Sequence, residues 1–175
     1  MGLERLFDLL LEFMDLFRFW QVIDEFERGI VLQWGKFRRE VGPGLRLVCP
    51  FGIDEVLVDN VVFKTSNLRT QTLTLKDGKS VVISPVISYR IRDIKRFLLE
   101  VEGAEDALAD STCGTVGEMV RHCDMRELMQ DEWHEKLYQE VRKQGFRFGI
   151  EVLAVRLSDF GDMRTFRLIN SNDED

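Results

Sequence analysis

The sequence is short of the residues that staple a chain or carry chemistry. Three cysteines among 175 residues, Cys49, Cys113 and Cys123, are an odd number with no paired spacing. That excludes a disulfide framework and points to a reducing compartment. The two histidines, His122 and His134, have only Cys123 close in sequence and no carboxylate cluster at ligand spacing, so no metal site is expected and a Cys-His nucleophile pair is equally thin. Glycine is present, but Gly42-Pro43-Gly44 lies between strands with no Lys-Ser or Lys-Thr after it, which excludes a phosphate-binding loop. Basic charge is also short. The net charge is −7 and the cations are interleaved with acids, which argues against nucleic acid as a partner. No enzyme signature and no cofactor remain. What is present, 45% hydrophobic and 31% charged residues with only three prolines, is the composition of a folded chain of one compact unit or two small subdomains.

The segment Leu3–Trp20 contains twelve large apolar residues but is interrupted by six charges. A signal peptide would have a basic start, an unbroken apolar centre and a small-residue cleavage site. As a membrane span, each charge would cost up to about 3 kcal/mol, while each apolar residue returns only about half a kilocalorie. On a helical wheel the charges fall within roughly 140° and most apolar residues lie opposite. The spacing therefore predicts an amphipathic helix over residues 1–20, with Leu6, Phe7, Leu10, Phe13, Met14, Phe17 and Trp20 on its bulky face, suited to lying in a membrane surface. Four acids against two bases oppose anionic lipid by about 2 kcal/mol. Half-burying the apolar side returns on the order of 10 kcal/mol before ordering costs. The same face would also fit a neighbouring subunit or the protein's own core. Gly2 is followed by Leu6 where a myristoylation motif needs Ser or Thr.

From Val22 the pattern becomes extended. Gly29–Gly35 reads as a short strand, and Leu45–Val48 and Ile53–Val58 as two more, broken at Cys49-Pro50-Phe51-Gly52. Thr70–Leu75 and Ser80–Ile91 form a hairpin around Asp77-Gly78, a pair that favours a tight primed turn, and Pro85 marks its return strand as an edge or a bulge. Helices follow over Ile94–Val101 and Ala104–Val120. A third carries Met129, Trp133, Leu137 and Val141 on one face and ends at Gly145. Ile150–Leu157 is a closing strand, and Ser171–Asp175 an acidic tail. This order predicts an α+β fold with an antiparallel sheet.

These residues resemble the SPFH or band-seven family of stomatin, prohibitin, flotillin and the bacterial HflK and HflC proteins. The resemblance begins at Glu27-Arg28-Gly29-Ile30-Val31-Leu32-Gln33-Trp34-Gly35-Lys36-Phe37. It continues through Gly42-Pro43-Gly44-Leu45, Pro50-Phe51, Ile53-Asp54-Glu55-Val56, Arg69-Thr70-Gln71-Thr72-Leu73 and Lys76-Asp77-Gly78, then Ser88-Tyr89-Arg90-Ile91 and Gly149-Ile150-Glu151-Val152. It implies two small subdomains, here 21–66, lying against a membrane, and 67–160, with 161–175 as a short C-terminal segment. It also implies large homo-oligomers that scaffold membrane patches or restrain membrane proteases. No long C-terminal coiled coil is expected, Ile94 stands where the family usually has proline, and Gly161-Asp162-Met163 replaces the proline after the last strand.

The expected function is thus a non-enzymatic scaffold, a ring or array attached to a lipid surface on the side of a reducing compartment such as the bacterial cytoplasm. Two other readings share the fold: a soluble shell or ring protein, viral in one version, with the first helix packed between subunits, and a modulator of a membrane protease acting through Glu132, Glu135 and Glu140. The last face has the alternating charge of an ordinary solvated helix. Phe51 reads as a membrane-dipping residue. Cys49 reads as a buried thiol ahead of an acylation site, and Trp34 as core ahead of the wet edge of a bilayer.

Overall fold

The computed structural model describes residues 19–163. The anchor residues Leu6, Phe7, Leu10, Phe13, Met14 and Phe17 and the acidic tail therefore lie outside the described residues. Trp20 corrects the helix boundary. It opens strand β1 (Trp20–Ile23), which pairs antiparallel with β4 (Gly44–Leu47), Trp20 opposite Leu47 and Val22 opposite Leu45. The period of two in Trp20-Gln21-Val22-Ile23 matches a ladder, and β4 offers the partners for it.

A three-stranded sheet runs in the order β3 (Lys36–Val41), β2 (Glu27–Gln33), β5 (Asp54–Asn60). Strand β3 has no counterpart in the sequence expectation, because Lys36-Phe37-Arg38-Arg39-Glu40 lacks apolar alternation. As an edge strand, with all but Val41 exposed, it needs none. Strand β2 is covered on both faces: Ile30 belongs to the larger core, whereas Val31 joins Ile23 and Val41 in a smaller one. Gly29 makes the close pairing with β5 feasible, since a Cβ there would lie 2.4 Å from the Leu57 carbonyl oxygen and 2.7 Å from Val58 Cγ1.

Strand β8 (Ser80–Ile91) is the spine of the second sheet. Strands β6 (Lys64–Asn67) and β7 (Gln71–Thr74) share one of its edges, and β9 (Ile150–Met163) takes the other. Pro85 is thus central, and the edge alternative fails. The register with β9 shifts between Ser84 and Pro85, and β6 and β7 leave the same two residues unpaired, so the missing N–H falls where both ladders break. The β7–β8 turn is also not the two-residue primed form. Leu75 N–H donates to the Lys79 carbonyl at 2.8 Å around three residues, with positive φ at Gly78 (82°) alone.

Four helices cover this sheet: α1 (Ile94–Leu99), α2 (Ala104–Arg121), α3 (Met125–Leu128) and α4 (Asp131–Arg147). Asp93 caps α1, and Asp124 with Glu127 forms a reciprocal capping box on α3. Leu108, Val116 and Val120 of α2 and Trp133, Leu137 and Val141 of α4 share one core with Val81, Ile83, Ile87, Ile150 and Val152. Met129 lies outside the last helix and is exposed. Gly145 lies inside it, because α4 passes so close to β9 that a Cβ there would sit 2.7 Å from Val152 Cγ2. The chain turns instead at Gly149, φ 75°.

Replacing Gly29 with alanine is expected to cost about 1–3 kcal/mol through overpacking against β5. Gly114 is exposed within α2, with nothing within 4 Å of an added Cβ, so Gly114→Ala should stabilise by up to about 1 kcal/mol. Urea unfolding of the two variants checks both signs.

Candidate functional site

The β1–β4 ribbon has two unlike faces. Ile23 points into the small core, and by register Trp20, Val22, Leu45 and Leu47 share the opposite face, where they are 52–73% exposed. Hydrogen bonds gather further segments at the Trp20 and Leu47 end. Val48 N–H donates to the Phe19 carbonyl at 2.9 Å, Cys49 N–H to Asp54 Oδ2 at 2.9 Å, and Trp34 N–H to the Ile53 carbonyl at 2.9 Å. Arg39 reaches the Leu47 carbonyl from β3 at 3.1 Å. Arg46 fixes the preceding bend by donating to the carbonyls of Gly42 and Pro43.

At this end two turns place an aromatic residue in the same unfavourable position. Trp34-Gly35 joins β2 to β3 with φ of 54° and 73°, and Phe51-Gly52 bends the β4–β5 loop with φ of 65° and 69°. Positive φ at both central residues is the pattern of a type I′ turn, whose favoured pair is Asn-Gly. Trp34 and Phe51 are the two non-glycine residues with positive φ among the described residues. Each carries roughly 1 kcal/mol of backbone cost and projects from the surface, Trp34 at 75% exposure. Trp34 is therefore a turn residue, not a core strand residue. Cys49, expected to be buried, is exposed between Leu47 and Phe51 because the loop carries its residues outward. Val22 and Leu47 belong to no motif in the sequence; with Leu45 their signal is the matched alternation Trp20-x-Val22 and Leu45-x-Leu47.

The remaining family-motif residues serve the scaffold beneath. Glu27 closes the β1–β2 turn, its Oε2 accepting from Asp24 N–H at 3.3 Å. Arg28 is exposed, Gly44 opens β4 at φ 106°, and Pro50 accepts from Ile53 N–H across the Phe51 turn at 3.4 Å. Asp77 Oδ1 accepts from Lys79 N–H at 3.2 Å, and that backbone bond holds its carboxyl below the ordinary value. Tyr89 is buried and lies opposite Lys64 in the β6–β8 ladder. Lys64 Nζ in turn bridges Asp59 of β5 at 3.3 Å and Glu105 of α2 at 2.7 Å, tying the two sheets together. Partial burial pulls the Lys64 ammonium down, but the two carboxylates outweigh it and hold the group above its ordinary value. Burial first, and then the charge of Glu105, pushes the Tyr89 phenol up to about 12.

The second surface feature is a groove of about 610 Å³ between α2 and α4. Glu132, Lys136, Glu140 and Gln144 line it from α4 at four-residue spacing, and Thr115, Glu118, Met119 and His122 from α2. Glu132 and Glu140 thus come together there, whereas Glu135 is outside the lining and accepts from Gln139 at 2.6 Å. Among the described residues, no group of three or more His, Cys, Asp and Glu side chains is disposed to hold a metal ion, and no helix is long and apolar enough to cross a membrane.

The family model for the SPFH domain / Band 7 family matches residues 21–167. A protein of Archaeoglobus fulgidus is 26% identical over 141 residues, 79% of this chain and 56% of its own length. HflK of Haemophilus influenzae is 31% identical over 142 residues, 76% of this chain and 33% of its own length. HflK of Vibrio cholerae is 40% identical over 90 residues, 51% of this chain and 22% of its own length. The chain therefore spans only part of each of these relatives.

Two outcomes follow from the geometry. Trp34→Asn creates the favoured turn pair and removes an exposed indole, so it should raise stability by up to about 1 kcal/mol, measured by urea unfolding. Tyr89 keeps its proton in the folded state to about 12. The stabilisation this confers is complete below the ordinary phenol value of 10.0 and lost as pH rises through about 12. Phenolate absorbance in a Tyr138→Phe background should place the Tyr89 titration there, and Tyr89→Phe should remove that part of the alkaline loss.

Proposed function

The chain belongs to the SPFH domain / Band 7 family, and from that premise we propose a non-enzymatic scaffold that assembles into a ring or array on a membrane surface. There it organises or shields membrane proteins, a membrane protease being the leading client class. In this reading residues 21–66 are the membrane-proximal subdomain and 67–160 the outward one.

The observation that carries the reading is the apolar end built from the outer face of the β1–β4 ribbon and the Trp34 and Phe51 turns. Trp20, Val22, Leu45, Leu47 and Trp34 are more than half exposed, and a contiguous apolar patch of this kind marks an interaction surface. Tryptophan is suited to the wet edge of a bilayer. Half-burying these side chains would return on the order of 5 kcal/mol per copy before ordering costs. That is a marginal anchor for one protomer. Many copies in one array act through effective concentration and hold durably. Residues 3–18, with their two-sided pattern of charge and apolar side chains, precede β1 in the sequence.

Flotation of the full chain with neutral phosphatidylcholine vesicles tests this. Leu45→Asp with Leu47→Asp, checked for folding by circular dichroism, should lower vesicle partition at least about tenfold, which corresponds to 1.4 kcal/mol. Equal flotation of native and variant chains would remove the ribbon from the reading. A lipid-free, monodisperse oligomer that ignores vesicles would favour the shell protein instead.

A further inference from the structure

Resting on the scaffold reading, we propose that copies of this chain associate head to tail, the acidic groove between α2 and α4 of one copy receiving the basic edge strand β3 of the next. The groove has four glutamates, Glu118, Glu127, Glu132 and Glu140, against one lysine, over an apolar floor of Met119 and Trp133. Among the described residues, Glu118 and Glu132 have neither an ion-pair nor a hydrogen-bond partner, so two carboxylates stand uncompensated at its rim.

The complementary surface is on the same chain. Strand β3 is an edge strand, exposed from Lys36 to Glu40, and offers the cations Lys36 and Arg38, whereas Phe37 lies beneath Lys95 at 4.7 Å and Arg39 is held by the Leu47 carbonyl. Arg38 keeps only a loose contact with Asp54, at 3.7 Å, and Lys36 has no ion-pair partner among the described residues. Two loosely held cations match the two uncompensated carboxylates of the groove. Within one chain the two surfaces share no lining residue. Strand β3 meets α4 at the last turn of the helix, where Glu40 shares a cleft with Phe146 and Gly149. Among the described residues its one ion pair is Arg38 with Asp54 and none reaches the groove, and the partner that fits is a second copy.

Charge supports this pairing over a symmetric one. With a net charge of −7, two copies meeting through equal acidic surfaces repel, whereas groove against β3 sets opposite signs face to face. A contact between two different patches is heterologous and repeats, giving a ring where the rotation closes and a filament where it does not. The contact is exposed, so it weakens as salt screens it.

Sedimentation velocity of the full chain across a salt series reads the assembly. Native chains should assemble at low salt and dissociate as salt rises. Glu118→Lys with Glu132→Lys, and separately Lys36→Glu with Arg38→Glu, should each raise the dissociation constant at least about tenfold, a loss of 1.4 kcal/mol. The chain carrying all four reversals should recover assembly, with circular dichroism showing each variant folded. Assembly unchanged by either reversal, or a folded fourfold variant that stays dissociated, overturns the contact while leaving the scaffold reading standing. Native chains that stay monomeric at every salt and concentration overturn both.

Discussion

The centre of strand β2, Gly29–Val31, is buried on both faces, and this constraint shapes the N-terminal half of the described structure. Ile30 is committed to the large core under the helices, and Val31 to a small core with Ile23 and Val41. Covering Val31 requires a layer on that side, and the β1–β4 ribbon is that layer. A two-stranded ribbon has one inner face to give. Once Ile23 is turned inward, Trp20, Val22, Leu45 and Leu47 are turned outward together, with nothing in the described structure above them. The exposed apolar surface is thus a consequence of how β2 is buried. Gly29 is the condition for it, since any side chain there would collide with the β5 backbone.

The second half is organised around a different spine. Strand β8 is paired on both edges along most of its length, and it tolerates a proline because both ladders lapse at Ser84 and Pro85. The helices cover one side of this sheet and leave a groove with uncompensated carboxylates between α2 and α4. Lys64 joins the two halves through Asp59 and Glu105. Together with Ile30, which enters the large core, that lysine ties the sheet beneath the apolar end to the helices that carry the acidic groove. A partly buried, doubly compensated cation contributes more than an isolated surface pair, which contributes little.

Much of the element order was legible because it rests on local signals. The alternation through β8, the helical period of α2 and α4, and the aspartates before α1 and α3 are properties of short windows. The errors arose where tertiary contact overrode local pattern. Gly145 reads as a helix stop, yet it is a point of close approach to Val152. Trp34 reads as part of an apolar strand, yet it occupies a turn position that asparagine would take more easily. Strand β3 carries no apolar alternation and exists because β2 has an open edge beside it. Cys49 follows an apolar stretch but is lifted outward by the loop that ends in the Phe51 turn.

By itself the sequence determined the family, the α+β succession of elements, the absence of a disulfide framework and the acidic charge, all of which depend on composition, motif order and near neighbours. Only the tertiary structure decided which apolar residues face outward. It brought Trp20, Leu47, Trp34 and Phe51 to one end, and it set Glu132 and Glu140 opposite Glu118 while leaving Glu135 aside. The physical reason is that exposure and juxtaposition belong to the packed layers: a side chain's face is fixed by the strand or helix that covers its neighbours, and those partners lie tens of residues away along the chain.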